Sequence, residues 1–105
     1  MSEFIEAFTK VQAEAAETAK RLGFEDNTSN PLYVPAKLAL IASEVTEALE
    51  SHRKGDDAHI VVDLADIVLR TMDLASALNV DLAKAILDKA ELNKKRTFRN
   101  GNLRY

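Results

Sequence analysis

The segment from Ala58 to Leu78 constrains this chain more than any other. Ile60, Val61, Val62, Leu64, Ala65, Ile67, Val68, Leu69 and Met72 make it apolar almost all round. It is too long and too continuous for one strand, so a helix is predicted. A helix apolar on every side must be covered on several sides. Three partner helices from one short chain are too few, because Val61, Val62, Leu69 and Met72 fall outside any single apolar stripe. An oligomer with this helix at its centre, a homodimer or a dimer of dimers, is therefore expected. Yet Asp63, Asp66, Arg70 and Asp73 interrupt the same segment. Their spacings of three, four and three put them on one face. An unpaired buried carboxylate costs roughly several kcal/mol, so these acids need cations or must protonate. Arg70 can partner Asp66 or Asp73, but it cannot neutralise them all.

The rest of the chain reads as three more helices. From Glu3 to Leu22, Phe4, Phe8, Val11, Ala15, Ala19 and Leu22 recur at three- and four-residue steps. Ser2 suits the N-cap and Gly23 the end. The stretch 23–34, GFEDNTSNPLYV, is a loop rich in turn residues. Pro35 suits the first position of a helix running to Lys54 and stopped by Gly55. In that helix Leu38, Ile41, Val45 and Leu49 form the expected core stripe. Lys37, Leu40, Glu44, Glu47 and Ser51 form the stripe beside it. Asp56 or Asp57 can cap the Ala58–Leu78 helix. A last helix, punctuated by Asn79 and Asp81, has Leu82, Ile86, Leu87 and Ala90 on its expected buried face and frays after Lys95. With only three Gly and two Pro in 105 residues, the expectation is one all-α domain spanning 1–105, a four-helix-type bundle.

Composition excludes several chemistries. The chain has no cysteine, so disulfides, zinc–thiolate sites and thiol nucleophiles are ruled out. MSEFIEAF lacks the basic and apolar regions of a secretory signal, and no apolar run reaches membrane-spanning length. A cytoplasmic protein without a membrane role is expected. Residues 84–105 carry seven Lys/Arg and two acids, whereas residues 1–83 carry seven and fifteen. An acidic body with a basic tail suits a metal in one and an anion on the other. It does not suit a nucleic-acid binder, which is normally basic overall.

Glu44 and Glu47, three apart, project from one face of the second helix. Such a pair is usually a solvated face, but here it stands on a helix that is otherwise core-facing. Two antiparallel helices, one bearing Glu44 and Glu47 and the other Asp63 and Asp66, would bring four carboxylates together. Oxygen-only clusters suit hard cations, Mg²⁺ or Mn²⁺.

Here the residues resemble a family. KLALIASEVTEALES followed by VVDLADIVLRTMDLA is similar to the MazG-like, all-α nucleoside triphosphate pyrophosphohydrolases, which carry E-x-x-E on one helix and E-x-x-D on the next. Glu44-x-x-Glu47 and Asp63-x-x-Asp66 match, with fifteen residues between them, and ELNKKRTFRNG is similar to the family's Asn/Lys/Arg-rich ending. Asp63 stands where the family usually has Glu, one methylene longer. The resemblance implies that Glu44, Glu47 and Asp66, helped by Asp63, hold Mg²⁺ on a triphosphate, with Glu44 and Glu47 as catalytic residues. Water attack would then give a nucleoside monophosphate and pyrophosphate, a house-cleaning of deoxynucleotide or non-standard nucleotide pools. Asn93 lies at a matching family position, which implies a substrate contact. Lys94, Arg96 and Arg99 follow the last helix and either clamp phosphate oxygens or stay solvated, and Lys37 either reaches phosphate or pairs with an acid. The active site is expected between the second, third and fourth helices. The rivals are a phosphoribosyl-ATP pyrophosphohydrolase, which the long first helix and extended loop fit less well, and a non-catalytic helical interaction module.

The remaining side chains say less. His52 and His59 do not form the E-x-x-H pairs of a di-iron bundle. His52 reads as a surface residue, while His59 lies one turn before Asp63. Phe24 and Tyr33, in the loop, are the aromatic residues best placed for a base pocket.

Overall fold

Side-chain caps set three of the four helix starts. The computed structural model describes residues 2–24 and 27–96. These form α1 (Glu3–Arg21), α2 (Tyr33–Arg53), α3 (Asp57–Ala77) and α4 (Leu82–Lys94), with no strand among the described residues. The Ser2 hydroxyl accepts the Phe4 and Ile5 N–H groups. Asp56 accepts from His59 N–H and Asp81 from Lys84 N–H, satisfying donors that the first helical turn leaves unpaired. Gly23 and Gly55 turn the chain out of α1 and α2 at φ +95° and +72°, where a side chain would be strained. α2 begins two residues before the expected Pro35. Asn30 Oδ1 accepts Leu32 N–H at 2.9 Å and Asn30 C=O accepts Tyr33 N–H at 3.0 Å, so the turn feeds directly into the helix. Pro35 then lies in the first turn, where its missing N–H costs nothing.

The helices pack in the order α2, α3, α1, α4: α3 touches both α2 and α1, and α4 lies chiefly on α1. Gln12 of α1 also donates to Val80 C=O, beyond α3, at 3.4 Å. α2 and α3 are antiparallel across the short Lys54–Asp56 connection. Ser51 meets Asp63, Glu44 meets Arg70 and Lys37 meets Asp73, so numbers fall along one helix as they rise along the other. Ser51, Glu44 and Lys37 are seven residues apart, two turns, and share one face.

That face corrects the expected orientation of α2. Of the stripe read as core, Leu38, Val45 and Leu49 are 53%, 52% and 47% exposed and Ile41 is half-buried, while Glu44 and Ser51 of the neighbouring polar stripe are buried. The reason is the charged row on α3, whose Asp63 and Arg70 find their partners on the polar stripe of α2. The buried apolar residues are only Tyr33, Met72, Leu74, Ala75 and Ala83 among those described. Met72, expected outside the chain's own core, therefore lies within it, and α4 buries Ala83 in place of Ile86 and Leu87, which stay exposed. Val61, Val62 and Leu69 are exposed in the single chain. Among the described residues, no helix is long and apolar enough to cross a membrane.

Candidate active site

Buried polar side chains mark the site. Glu44, Ser51 and Asp63 are the polar residues buried among those described, and all three lie where α2 meets α3. Single carboxylate oxygens of Glu44, Asp63 and Asp66 approach within 4.8 Å of one another. Neighbouring ligand oxygens on an octahedral Mg²⁺ stand about 3.0 Å apart, so side-chain shifts of up to about an ångström would close the three on such an ion. An all-carboxylate donor set with two buried members fits a hard divalent cation.

Each acid has a different setting. Arg70 Nε donates to Glu44 Oε1 at 2.9 Å. Arg70 thus reaches across to α2, whereas the sequence spacing pointed to Asp66 or Asp73 on its own helix. Ser51 Oγ donates to Asp63 Oδ2 at 2.7 Å, and His59 Nδ1 lies 3.1 Å from the same oxygen. The Ser51 bond, then the His59 bond and charge, hold the Asp63 carboxyl below the ordinary aspartate range despite its burial. In return, its bond to Asp63 and the charge there raise the His59 imidazole above the ordinary histidine value. Glu47 is exposed and lies against Glu44. That contact, the Glu44 charge, partial desolvation and the charges of Asp63 and Asp66 push the Glu47 carboxyl above the ordinary glutamate range. Four acids therefore share the neighbourhood of Arg70 and, at the edge, His59.

A cleft of about 370 Å³ adjoins the acids, within the size range of small-molecule sites. One wall is α1, through residues such as Val11, Ala15 and Ala19. Lys37 and Leu40 of α2 face it, Asp66, Leu69, Arg70 and Asp73 of α3 line it further, and Phe24 borders it. Asp66 belongs to both the cleft and the acid triad. Lys37 Nζ lies 3.7 Å from Asp73 and 5.0 Å from the centre of the Phe24 ring, and Arg70 Cζ is 5.9 Å from that ring. Phe24 thus has two cations within reach of its ring. Tyr33, the other loop aromatic expected near a base, is instead buried at the start of α2.

The structure brings Glu44, Glu47, Asp63, Asp66 and Lys37 into one region. It does not bring Asn93, Lys94 and Arg96 there. They stand at the end of α4, which packs on α1, and they do not line the cleft. Lys94 pairs with Glu91 at 3.4 Å. The expected placement between the second, third and fourth helices is corrected accordingly: α1, not α4, supplies the cleft's third side, because α4 docks on α1 away from the α2–α3 rungs. Arg99 lies outside the described residues. Ser51 and Arg70 were the residues whose site contacts sequence reasoning missed. Ser51 does fall on the same stripe as Glu44, and that was its only signal.

A dATP/dGTP diphosphohydrolase of Cyanophage S-2L is 32% identical to this chain over 71 residues, covering 65% of the chain and 64% of that protein. The chain thus spans just under two thirds of the length of this relative. No family model matches the chain, and no solved structure matches it.

Proposed function

We propose that this chain is a nucleoside triphosphate pyrophosphohydrolase of the MazG-like type that requires Mg²⁺, or Mn²⁺ in its place. It converts a nucleoside triphosphate, a deoxynucleotide or a non-standard one, to the monophosphate and pyrophosphate. The observation that supports this reading best is the convergence of Glu44, Asp63 and Asp66 at the edge of a cleft bearing Lys37 and Arg70. The similarity to a protein named dATP/dGTP diphosphohydrolase points the same way.

Glu44, Asp63 and Asp66 would hold the ion, with Glu47 alongside. When bound, such an ion neutralises phosphate oxygens and acidifies water. The residues themselves have distinct tasks. Glu44 is held in orientation by Arg70. Glu47 is accessible, and its raised carboxyl is suited to accept the proton of the attacking water. Lys37 and Arg70 face phosphate from the cleft, where Arg adds a planar fork of donors. Phe24 offers a face for a base or sugar.

Mg²⁺ alone tests the metal part of this reading. An ion that binds only the folded state at about ten times its Kd adds about 1.4 kcal/mol of stability. For a domain of this length that is a rise in Tm of about 6–11 °C. Thermal unfolding with and without Mg²⁺ should show this rise in the wild-type protein and not in Asp66→Asn. An equal Tm at all Mg²⁺ concentrations would leave the acids as an ionic contact between helices.

A further inference from the structure

Ser51 uses its one hydroxyl proton in an unusual direction. A serine inside a helix commonly bonds back to a carbonyl of its own helix, as Ser43 does to Leu40 C=O at 2.8 Å. Ser51 instead is 7% exposed and donates across the helix pair to Asp63 Oδ2 at 2.7 Å. His59 Nδ1 stands 3.1 Å from that oxygen and 3.1 Å from Ser51 Oγ. Because the hydroxyl proton is committed to Asp63, both His59 contacts are attractive only if Nδ1 carries a proton. Oδ2 then accepts two hydrogen bonds. Oδ1 accepts none from the described side chains.

We propose that Ser51 is a positioning residue for the metal site: by gripping Oδ2 it fixes the plane of the Asp63 carboxylate and presents Oδ1 to the cation shared with Glu44 and Asp66. This rests on the metal-dependent reading above. The terminal torsion of an aspartate is broad and has no strong preference of its own. At Asp63, which is 2% exposed, a turned carboxylate has no solvent to relax into. The short side chain also has no spare methylene with which to correct its aim. Ser51, buried on the rigid face of α2, removes that freedom before an ion arrives. Partners of metal ligands in this position typically change metal affinity by about 10- to 100-fold when lost.

The alternative role for Ser51 is a plain bond between two helices. Losing that bond would lower the Tm of the metal-free protein and leave its metal affinity unchanged. Mn²⁺ is a suitable probe, with free ion followed by electron paramagnetic resonance against the full-length wild-type chain, Ser51→Ala, Ser51→Thr and Asp66→Asn. Alanine is the best helix former, so Ser51→Ala should keep the helical circular dichroism. Its Mn²⁺ Kd should nevertheless rise about tenfold or more. Ser51→Thr keeps the hydroxyl and should recover most of that loss, while Asp66→Asn should bind weakly or not at all. Wild-type affinity in Ser51→Ala, with binding lost in Asp66→Asn, would overturn the positioning role and leave the metal reading standing. Wild-type affinity in both would overturn the metal reading itself. A Ser51→Ala chain without helical signal, or a folded Ser51→Thr that binds no better than Ser51→Ala, would also overturn the assignment.

Discussion

Glu47→Gln should abolish turnover, lowering kcat by about a hundredfold or more, while the protein stays folded and becomes no less stable. The two halves of this result have one cause. The amide keeps the shape of the side chain and loses both the negative charge and the proton acceptor. Glu47 is exposed, so its replacement opens no cavity. Its folded-state carboxyl is raised by Glu44, whose hydrogen bond and charge both act on it. A carboxyl that binds its proton more tightly when folded weakens the fold as pH rises through that range. At neutral pH, removing the charge therefore relieves repulsion in the metal-free protein. Thermal unfolding without metal should give a Tm equal to or above the wild-type value, beside a kinetic assay showing the loss. Near wild-type turnover at the same Mg²⁺ would remove Glu47 from the chemistry.

The second large effect concerns assembly. Val61 is 67% exposed, and Val62, Leu64 and Val68 are each about half exposed on α3, as are Leu38, Val45 and Leu49 on α2. Fully burying one such side chain contributes about 1.5–3 kcal/mol, and this many large apolar side chains left half exposed on two neighbouring helices suit an interface. We expect no monomer of 11.6 kDa at micromolar concentration, but a dimer or a dimer of dimers built on these helices. Val68→Glu should weaken association by about a hundredfold or more, since it would bury an unpaired charge. Because Val68 is exposed in the single chain, the helices themselves should persist. Sedimentation of the wild type as a folded monomer, or of Val68→Glu at the wild-type mass, would contradict this.

Much of the fold was legible because it is local. Ser2, Gly23, Gly55 and Asp81 mark helix ends through their own backbone and side-chain chemistry, so their positions need no knowledge of distant residues. The acids were legible for a related reason. Asp63 and Asp66 within an apolar run, and Glu44 and Glu47 one turn apart, keep their spacing whatever packs on them. What failed depended on partners. α2 carries an apolar and a polar stripe side by side, and periodicity alone makes Leu38, Ile41, Val45 and Leu49 the inner one, of which only Ile41 is half-buried. α3 decided otherwise, since Asp63 requires Ser51 and Glu44 requires Arg70 across the helix pair. Spacing along α3 points Arg70 to an acid one turn away on its own helix. A tertiary partner prevailed, because a buried carboxylate such as Glu44 is costly without a cation. α4 was misplaced because nothing in its amphipathic pattern says whether it docks on α1 or beside α2.

The measurement that bears most directly on the proposed activity is the identity of the first products. The chain, incubated with Mg²⁺ and a panel of nucleoside and deoxynucleoside triphosphates in ¹⁸O-water, should yield a monophosphate and pyrophosphate together. One ¹⁸O atom should appear in one of the two products, on the phosphorus that water attacks, while the other product keeps the bridging oxygen, and no diphosphate should precede them. Orthophosphate appearing first, with a nucleoside diphosphate, would mean attack at the terminal phosphate and would contradict the assignment.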